Sequence, residues 1–283
     1  MSDLVVRRLL IDLETPPARH WCGGDAFRTA WFNALSMSFP SGEQFFIDAV
    51  RAGVQTLPEP ERARFEPAVK GFIGQEATHR RIHTLFNAHL TKQGLVNRWE
   101  ARALRRIRSL DGVDPRIAVG VTAATEHLTA ILAEHLLTDP ASLQGAEPRL
   151  ATLWLWHASE ETEHRATAFD LYRQMGGNEE WRLRLFRLVT WHFVADSLRQ
   201  TVNNLWHDGS FWRAATWAAG WRFLFGRHGL VHALAGPWRR YRSADFHPSQ
   251  QDESRALSWL RDNATLFEPV ARATPAITME VAT

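Results

Sequence analysis

A glutamate and a histidine three residues apart occur twice in this chain, each time within a segment of helical periodicity. The first copy pairs Glu76 with His79, and the second pairs Glu161 with His164. Side chains three positions apart share one face of a helix, so each copy presents a carboxylate and an imidazole together. A single copy arises easily by chance in a helical chain rich in glutamate, whereas two copies strongly constrain the fold.

Each copy also follows an earlier glutamate that stands among apolar residues of a preceding helical segment. Glu43 precedes Glu76 by 33 residues, and Glu126 precedes Glu161 by 35 residues. Two helical hairpins that each supply Glu and then Glu-x-x-His form the ligand pattern of a carboxylate-bridged dimetal centre in a four-helix bundle. Carboxylate oxygens and imidazole nitrogens suit iron and manganese. We therefore expect a buried di-iron or di-manganese site.

The remaining sequence predicts an all-α fold, because proline, glycine and aspartate separate long helical segments and alternating β-branched runs do not occur. The expected architecture is a ferritin-like four-helix bundle with additional C-terminal helices. Pro40 is expected to kink or break the first helix. The predicted helices span 25–53, 59–93, 97–109, 114–138, 147–175, 178–207 and 210–241.

The length fits one large domain, and we expect residues 1–283 to form it. Residues 25–176 are the predicted metal-binding four-helix core, and residues 177–245 are aromatic-rich C-terminal helices. Residues 246–283 are expected to hold a short helix and a weakly ordered tail.

The stretch "HASEETEHRA" contains three glutamates, and their spacing from His164 indicates which one is the expected ligand. Glu161 is preferred to Glu160 as a ligand because only Glu161 stands three residues before His164. Glu160 and Glu163 are expected to be exposed or to lie behind the ligands. His157 lies one turn before Glu161 on the same face, which favours a third histidine ligand; a packing histidine is the alternative.

Other polar residues near the pattern receive lesser roles. Thr129 shares a face with Glu126 and is assigned to the catalytic set, as part of a proton relay or a pocket wall; helix packing is the alternative. His83 is expected behind the ligands or at the surface. His127 and His135 point elsewhere on their helix and are not expected to bind metal.

Five motifs in order carry a family resemblance. Together they resemble the bacterial proteins described as predicted metal-dependent hydrolases, over roughly residues 20–250. The spacing His-x-x-x-Glu-x-x-His at 157–164 also resembles the di-iron arylamine N-oxygenases, in which the extra histidine binds iron; outside the ligand motifs that second resemblance ends. The motifs are "WFNALSMSFPSGEQFF", "GFIGQEATHRRIH", "AATEHLTAIL", "WHASEETEHRATAFDLY" and "DFHPSQQD". The resemblance to the N-oxygenases implies seven metal ligands: Glu43, Glu76, His79, Glu126, His157, Glu161 and His164.

The favoured function is a non-haem di-iron oxidoreductase that activates O2 to hydroxylate, desaturate or N-oxygenate a small apolar substrate. Its four glutamates hold the metal ions and take part in catalysis. Two iron ions, or manganese or a mixed pair, and an external reductant are the expected cofactors. A hydrolase that uses metal-activated water is the alternative, and metal storage is a third class. An electron-donor protein and a homodimer remain open as partners.

Composition excludes several other classes. The formal net charge is only +2 at pH 7 and no basic face is evident, so no nucleic-acid partner is expected. Cys22 is the single cysteine, which excludes a disulfide framework. The N-terminus is too charged for a secretory signal, and no apolar run reaches about 18 residues. We expect a cytoplasmic protein without a transmembrane segment.

Residues 181–241 are rich in tryptophan, phenylalanine and arginine. The favoured interpretation is that these helices pack on the bundle and line a substrate pocket. Contact with a lipid surface is the alternative.

Overall fold

The structure is a computed structural model that describes residues 4–270. Ten α-helices run through this part of the chain, and the all-α class predicted from the sequence is confirmed. Their bounds are α1 Ala26–Gln55, α2 Glu59–Lys92, α3 Trp99–Arg108, α4 Pro115–Thr138, α5 Pro148–His164, α6 Thr167–Gln174, α7 Glu179–His207, α8 Ala214–Phe225, α9 Leu230–Arg240 and α10 Ser254–Asp262. Short 3-10 helices span Pro140–Leu143, Pro248–Gln250 and Ala264–Leu266.

The helices begin where the sequence offers a capping side chain or a proline. Asp25 accepts a hydrogen bond from the Arg28 amide at the start of α1, and Asn178 does the same for the Trp181 amide at the start of α7. Pro115 and Pro148 occupy the first turns of α4 and α5, where the missing N–H costs little.

Two predicted helices are divided in the structure. The helix expected over 147–175 stops at His164 and resumes at Thr167, so that it forms α5 and α6. The Arg165 guanidinium at this break donates to the carbonyls of Pro248 and Gln251. The helix expected over 210–241 is interrupted between Phe225 and Leu230, around two glycines, and forms α8 and α9.

A two-stranded antiparallel ribbon was not predicted. Strand β1, Arg7–Leu9, pairs with strand β2, Phe267–Pro269, so that Arg8 faces Glu268. Each strand has only three residues, which is too short for a periodic signal to be recognised. The ribbon joins the two ends of the described chain and fixes Arg7 over α5.

Helices α1 and α2 pack as one hairpin and α4 and α5 as the other, with contacts between α1 and α4 and between α2 and α5. Aromatic and leucine side chains such as Phe72, Phe86 and Leu153 are fully buried in the cores at either end of this bundle. Helix α7 lies across α1 and α4. None of the helices in residues 4–270 combines the length and apolar character needed to cross a membrane. The predicted weakly ordered tail lies outside the described residues.

Candidate metal centre

Four buried glutamates converge in the middle of the bundle, one from each of α1, α2, α4 and α5. The donor atoms of Glu43, Glu76 and His79 lie within 4.8 Å of one another, and so do those of Glu76, Glu161 and His164. The fourth glutamate, Glu126, completes the set of carboxylates: its Oε2 lies 3.2 Å from Nε2 of His164. The two hairpins thus contribute matching sets of side chains to one site.

His157 belongs to the half of the cluster that contains His79. The two rings stack with centroids 4.1 Å apart, and the donor atoms of His79, His157 and Glu161 lie within 4.8 Å of one another. Nε2 of His157 is 2.9 Å from Oε1 of Glu161. One half of the cluster therefore holds two histidines and the other half holds His164.

A chain of hydrogen bonds sets the tautomer of His157. Ser36 Oγ donates its proton to Asn87 Oδ1 over 2.7 Å. Toward His83, Oγ can therefore only accept a hydrogen bond, and Nδ1–H of His83, 2.8 Å away, donates it. The other nitrogen of neutral His83, Nε2, then accepts from Nδ1–H of His157 over 2.7 Å. This leaves the Nε2 lone pair of His157 directed at a carboxylate oxygen of Glu161, an arrangement that calls for a cation between them.

Pro40 explains why this chain of hydrogen bonds starts at Ser36 and Asn87. Proline has no N–H, so the carbonyl four residues earlier, that of Ser36, lacks its helical partner. Asn87 Nδ2 donates to that carbonyl over 2.8 Å, and this fixes the Asn87 amide with Oδ1 toward the Ser36 hydroxyl. Helix α1 continues through Pro40 without a break.

His79 is held from behind by Glu160 and Arg7. Nε2 of His79 lies 3.0 Å from Oε2 of Glu160, which accepts Nε2–H when Glu160 is ionised. Arg7 donates to Oε1 of Glu160 over 3.0 Å and to both oxygens of Glu163. Nδ1 of His79 faces the cluster and has no hydrogen-bond partner.

Gln75 holds the third histidine in the same way. Its Nε2 donates to the Val5 carbonyl over 3.0 Å and to Glu163 over 2.8 Å. Its Oε1 is therefore the acceptor for Nδ1–H of His164, 2.9 Å away. Nε2 of His164 is turned to Glu76 Oε1 at 3.0 Å. Outer partners that fix the ring of a histidine are typical of metal ligands.

Burial makes the collected negative charge costly. It raises the pKa of Glu43 and of Glu76 well above the usual value for glutamate, and the neighbouring carboxylates add to the shift. Burial likewise raises the pKa of Glu126 to about 7. Burial alone would lower the pKa of His164, but the carboxylates of Glu126, Glu161 and Glu76 outweigh it and hold that pKa well above its usual value. The site favours positive charge.

The residues fit a pair of cations. Buried polar atoms without any hydrogen-bond partner concentrate here, and such atoms are costly in a folded protein. Oxygen donors outnumber nitrogen donors, which suits iron or manganese. The unpartnered atoms of the cluster are both oxygens of Glu43, Glu76 and Glu126, Oε2 of Glu161, Nδ1 of His79 and Nε2 of His164.

The family described as "Predicted metal-dependent hydrolase" matches residues 5–252. The chain belongs to this family. No curated protein and no solved structure matches the chain. The family match covers every residue of the cluster and supports metal dependence, and it agrees with the resemblance drawn from the motifs.

An apolar cavity of about 60 Å³ reaches the cluster at His157 and Glu161. Its walls are aromatic and aliphatic, and they come from the bundle and from the C-terminal helices. Phe193 of α7 and Phe223 of α8 are among them, which agrees with the pocket-lining role predicted for the aromatic segment. Phe39, Thr129 and Trp154 of the bundle line the cavity as well.

The structure decides between the locations left open for several residues. Glu160 is completely buried and Glu163 is half-buried beside it, so both lie behind the candidate ligands and are not exposed. His83 is also fully buried, so the surface location left open for it is wrong. His127 points away from the cluster and packs on Phe186, Tyr241 and Phe246, as expected.

Thr129 lines the cavity, and its hydroxyl donates to the Glu126 carbonyl over 3.0 Å. That bond supports the pocket-wall role rather than a proton relay.

Sequence reasoning missed Arg7, Ser36 and Gln75. Gln75 carries a weak signal as the polar neighbour of Glu76, but nothing in the local sequence connects Arg7 or Ser36 with a site far along the chain.

Proposed function

We propose that the cluster binds two iron ions and that the protein is an oxidoreductase that activates O2 to oxidise a small apolar substrate. The observation that carries this proposal is the orientation of three buried histidines. Each has its outer nitrogen engaged by a partner, and each turns its inner nitrogen toward buried carboxylates. Four glutamates carry a charge of −4 when ionised, which two divalent cations neutralise.

The geometry suggests how the ligands divide. Glu43, His79 and His157 would serve one ion, and Glu126 and His164 would serve the other. Glu76 and Glu161 lie between these two groups of ligands, because the donor atoms of each lie close to donor atoms of both groups. These two glutamates would bridge the two ions. The proposed set is the one implied by the sequence motifs, with His157 now assigned to the half that contains His79.

When bound in this set, ferrous ions supply the electrons with which O2 is reduced, and an external reductant restores them. The protein's own residues orient the substrate and exclude water. Phe39 packs on both His83 and His157, with ring centroids 4.6 and 4.7 Å apart. The apolar wall suits the apolar part of a substrate beside Glu161, where hydroxylation, desaturation or, for an amine, N-oxygenation would follow.

A hydrolase that acts through metal-activated water is the second candidate, and the family's description favours it. Hydrolysis also needs a group that protonates the leaving group. The polar residues of the described cavity wall beyond the cluster are Thr129, His135 and Ser142. Thr129 and Ser142 already donate their hydroxyl protons, to Glu126 and Asp139. This wall suits an apolar substrate better than an ester or phosphoester.

The test compares the two chemistries in one preparation. Protein freed of metal is loaded anaerobically with Fe(II), and O2 uptake per iron is measured with an electrode while Mössbauer spectra follow the iron oxidation state. The expected result is rapid O2 uptake by two coupled iron ions, lost in Glu161→Ala.

The hydrolase is tested by loading zinc or manganese and measuring turnover of ester and phosphoester substrates without O2. Hydrolysis that Glu161→Ala abolishes, together with iron that oxidises no faster than free Fe(II), would overturn the oxidoreductase. Glu134→Ala is the matched control, because Glu134 is a half-buried glutamate of α4 outside the cluster.

A further inference from the structure

The outer side of α7 carries a continuous stripe of exposed apolar side chains. Their spacing of three or four residues places them on one face of the helix. Trp191 is 67% exposed, which is unusual for a tryptophan in a folded domain. The stripe consists of Leu188, Trp191, Val194, Leu198, Val202 and Trp206.

Helix α8 extends this surface. Trp206 contacts Trp212 and Phe211, with ring centroids 5.9 and 5.5 Å apart, and Phe211 contacts Trp217. The aromatic rings therefore continue from the end of α7 into α8. Trp212 is 79% exposed and Trp221 is 67% exposed. We call the stripe together with Trp212, Trp217, Trp221 and Phe225 the tryptophan face.

The charge around the tryptophan face is strongly one-sided. Residues 181–242 contain ten arginines and no lysine or glutamate, and their two aspartates are Asp196 and Asp208. Asp196 is buried under Arg102 and Arg106, so it offers no charge to the surface. Exposed arginines flank the face at Arg184, Arg187, Arg199, Arg213, Arg222 and Arg227.

This combination matches the interfacial class of membrane-binding surface. Exposed indoles favour the headgroup region, arginines pair with anionic headgroups, and neither requires a helix that spans the bilayer. A protein partner would more often be met by a face with charges of both signs among the apolar residues. The exposed arginines that flank the face, with Asp196 buried and Asp208 paired with His20, complement an anionic lipid.

A second cavity connects the tryptophan face with the interior. It measures about 290 Å³, and exposed Leu188 lines it together with His192. Phe39, Thr129 and Phe193 line both this cavity and the one that reaches the metal centre. Only the side chains of this shared wall therefore lie between the cavity at the tryptophan face and the cavity that reaches His157.

We propose that the tryptophan face binds the surface of an anionic lipid bilayer, with the cavity at Leu188 opening toward the lipid. Membrane binding itself does not depend on the proposed function. Delivery of a membrane-dissolved apolar substrate to the metal centre is the part that rests on it. A vesicle-binding measurement tests the first without any turnover.

The experiment is co-sedimentation of the full chain with vesicles of phosphatidylcholine, with and without phosphatidylglycerol, at low and high salt. Wild-type protein is expected to bind the vesicles that contain phosphatidylglycerol, less so at high salt. Trp191→Ser/Trp212→Ser/Trp221→Ser is expected to weaken binding by about tenfold or more, and so is the charge reversal Arg187→Glu/Arg199→Glu/Arg222→Glu. Leu257→Ser, which removes an exposed apolar side chain of α10, is expected to bind as wild type.

Wild-type protein that stays in the supernatant would overturn the proposal, and so would both triple variants binding as wild type. Equal binding to uncharged vesicles would also contradict it. Light scattering supplies the remaining outcome. A dimer that the tryptophan variant alone loses would assign the face to a second copy of the chain and not to lipid.

Discussion

Nε2 of His83 lies 2.7 Å from Nδ1 of His157, and both rings are buried. Because Nδ1–H of His83 donates to Ser36, Nε2 of His83 is the acceptor for Nδ1–H of His157, and this keeps Nε2 of His157 free for a cation. Burial lowers the pKa of His83 well below its usual value, with His157 adding to the shift. His83 is thus a positioning residue, and its neutral form is the one the site needs.

Replacing His83 tests this role. His83→Leu removes the acceptor and should weaken one metal site by about 10- to 100-fold. His83→Gln keeps an acceptor oxygen and should restore much of the affinity. Fe(II) titration followed by elemental analysis after dialysis measures both. His89→Leu, a buried histidine of the same helix bonded to the Leu13 carbonyl, should keep full metal content; a His83→Leu variant that does likewise would contradict the assignment.

Removing His157 should alter one metal position and leave the other unchanged. His157→Ala deletes one nitrogen donor from the half that holds His79 and leaves the half around His164 intact. Mössbauer spectra of the iron-loaded variant should therefore show one altered and one unaltered quadrupole doublet. Spectra identical to those of the wild type would return His157 to a packing role.

The bridging glutamates should matter to both ions. Glu76→Ala or Glu161→Ala should reduce metal content from about two ions per chain to less than one, because each removes a donor shared by the two halves. Elemental analysis of purified protein gives the answer. One zinc ion per chain, unchanged in both variants, would exclude a dimetal centre built on these residues.

The spacing of the ligands was predictable because helical periodicity is local. Glu43 and Glu76 are separated by nearly the same number of residues as Glu126 and Glu161, and the structure brings their helices together. Their role as ligands stays a prediction. The partners behind them were not predictable, since contacts such as Arg7 with Glu160 join residues 153 positions apart and depend on how the chain ends meet. The split at Arg165 was missed for the same reason.

Arg7 should contribute to stability well beyond an ordinary surface arginine. Its side chain is 11% exposed and serves Glu160 and Glu163 together, so Arg7→Ala leaves the Glu163 carboxylate without its cation and Oε1 of Glu160 without its donor. A loss on the order of 3 kcal/mol in the free energy of unfolding is expected, measured by urea denaturation of the metal-free protein. Arg8→Ala on the same strand is the control: its 56% exposed pair with Glu268 should add little. Equal losses would mean that the ribbon, and not the buried charge, is what Arg7 supports.

The stability of the metal-free protein should fall as the pH rises toward about 8. Burial raises the pKa of Glu126 to about 7 and that of Glu160 to about 8 from a usual 4.5. A carboxyl group whose pKa is raised on folding stabilises the fold fully below its unfolded pKa, and that stabilisation is lost as the pH rises through the folded pKa. The melting temperature should therefore drop as the pH rises toward about 8 and level off above that value.

Metal ions should reverse this trend, because they bind the ionised carboxylates and displace their protons. The rise in melting temperature on adding Mn(II) should thus grow with pH over the same range. Glu160→Gln, which cannot ionise, should make the alkaline fall of the metal-free protein shallower. Differential scanning fluorimetry across pH, with and without Mn(II), measures each of these slopes. A melting temperature that rises with pH in the metal-free protein would show that these carboxyl groups are not held protonated at the centre of the bundle.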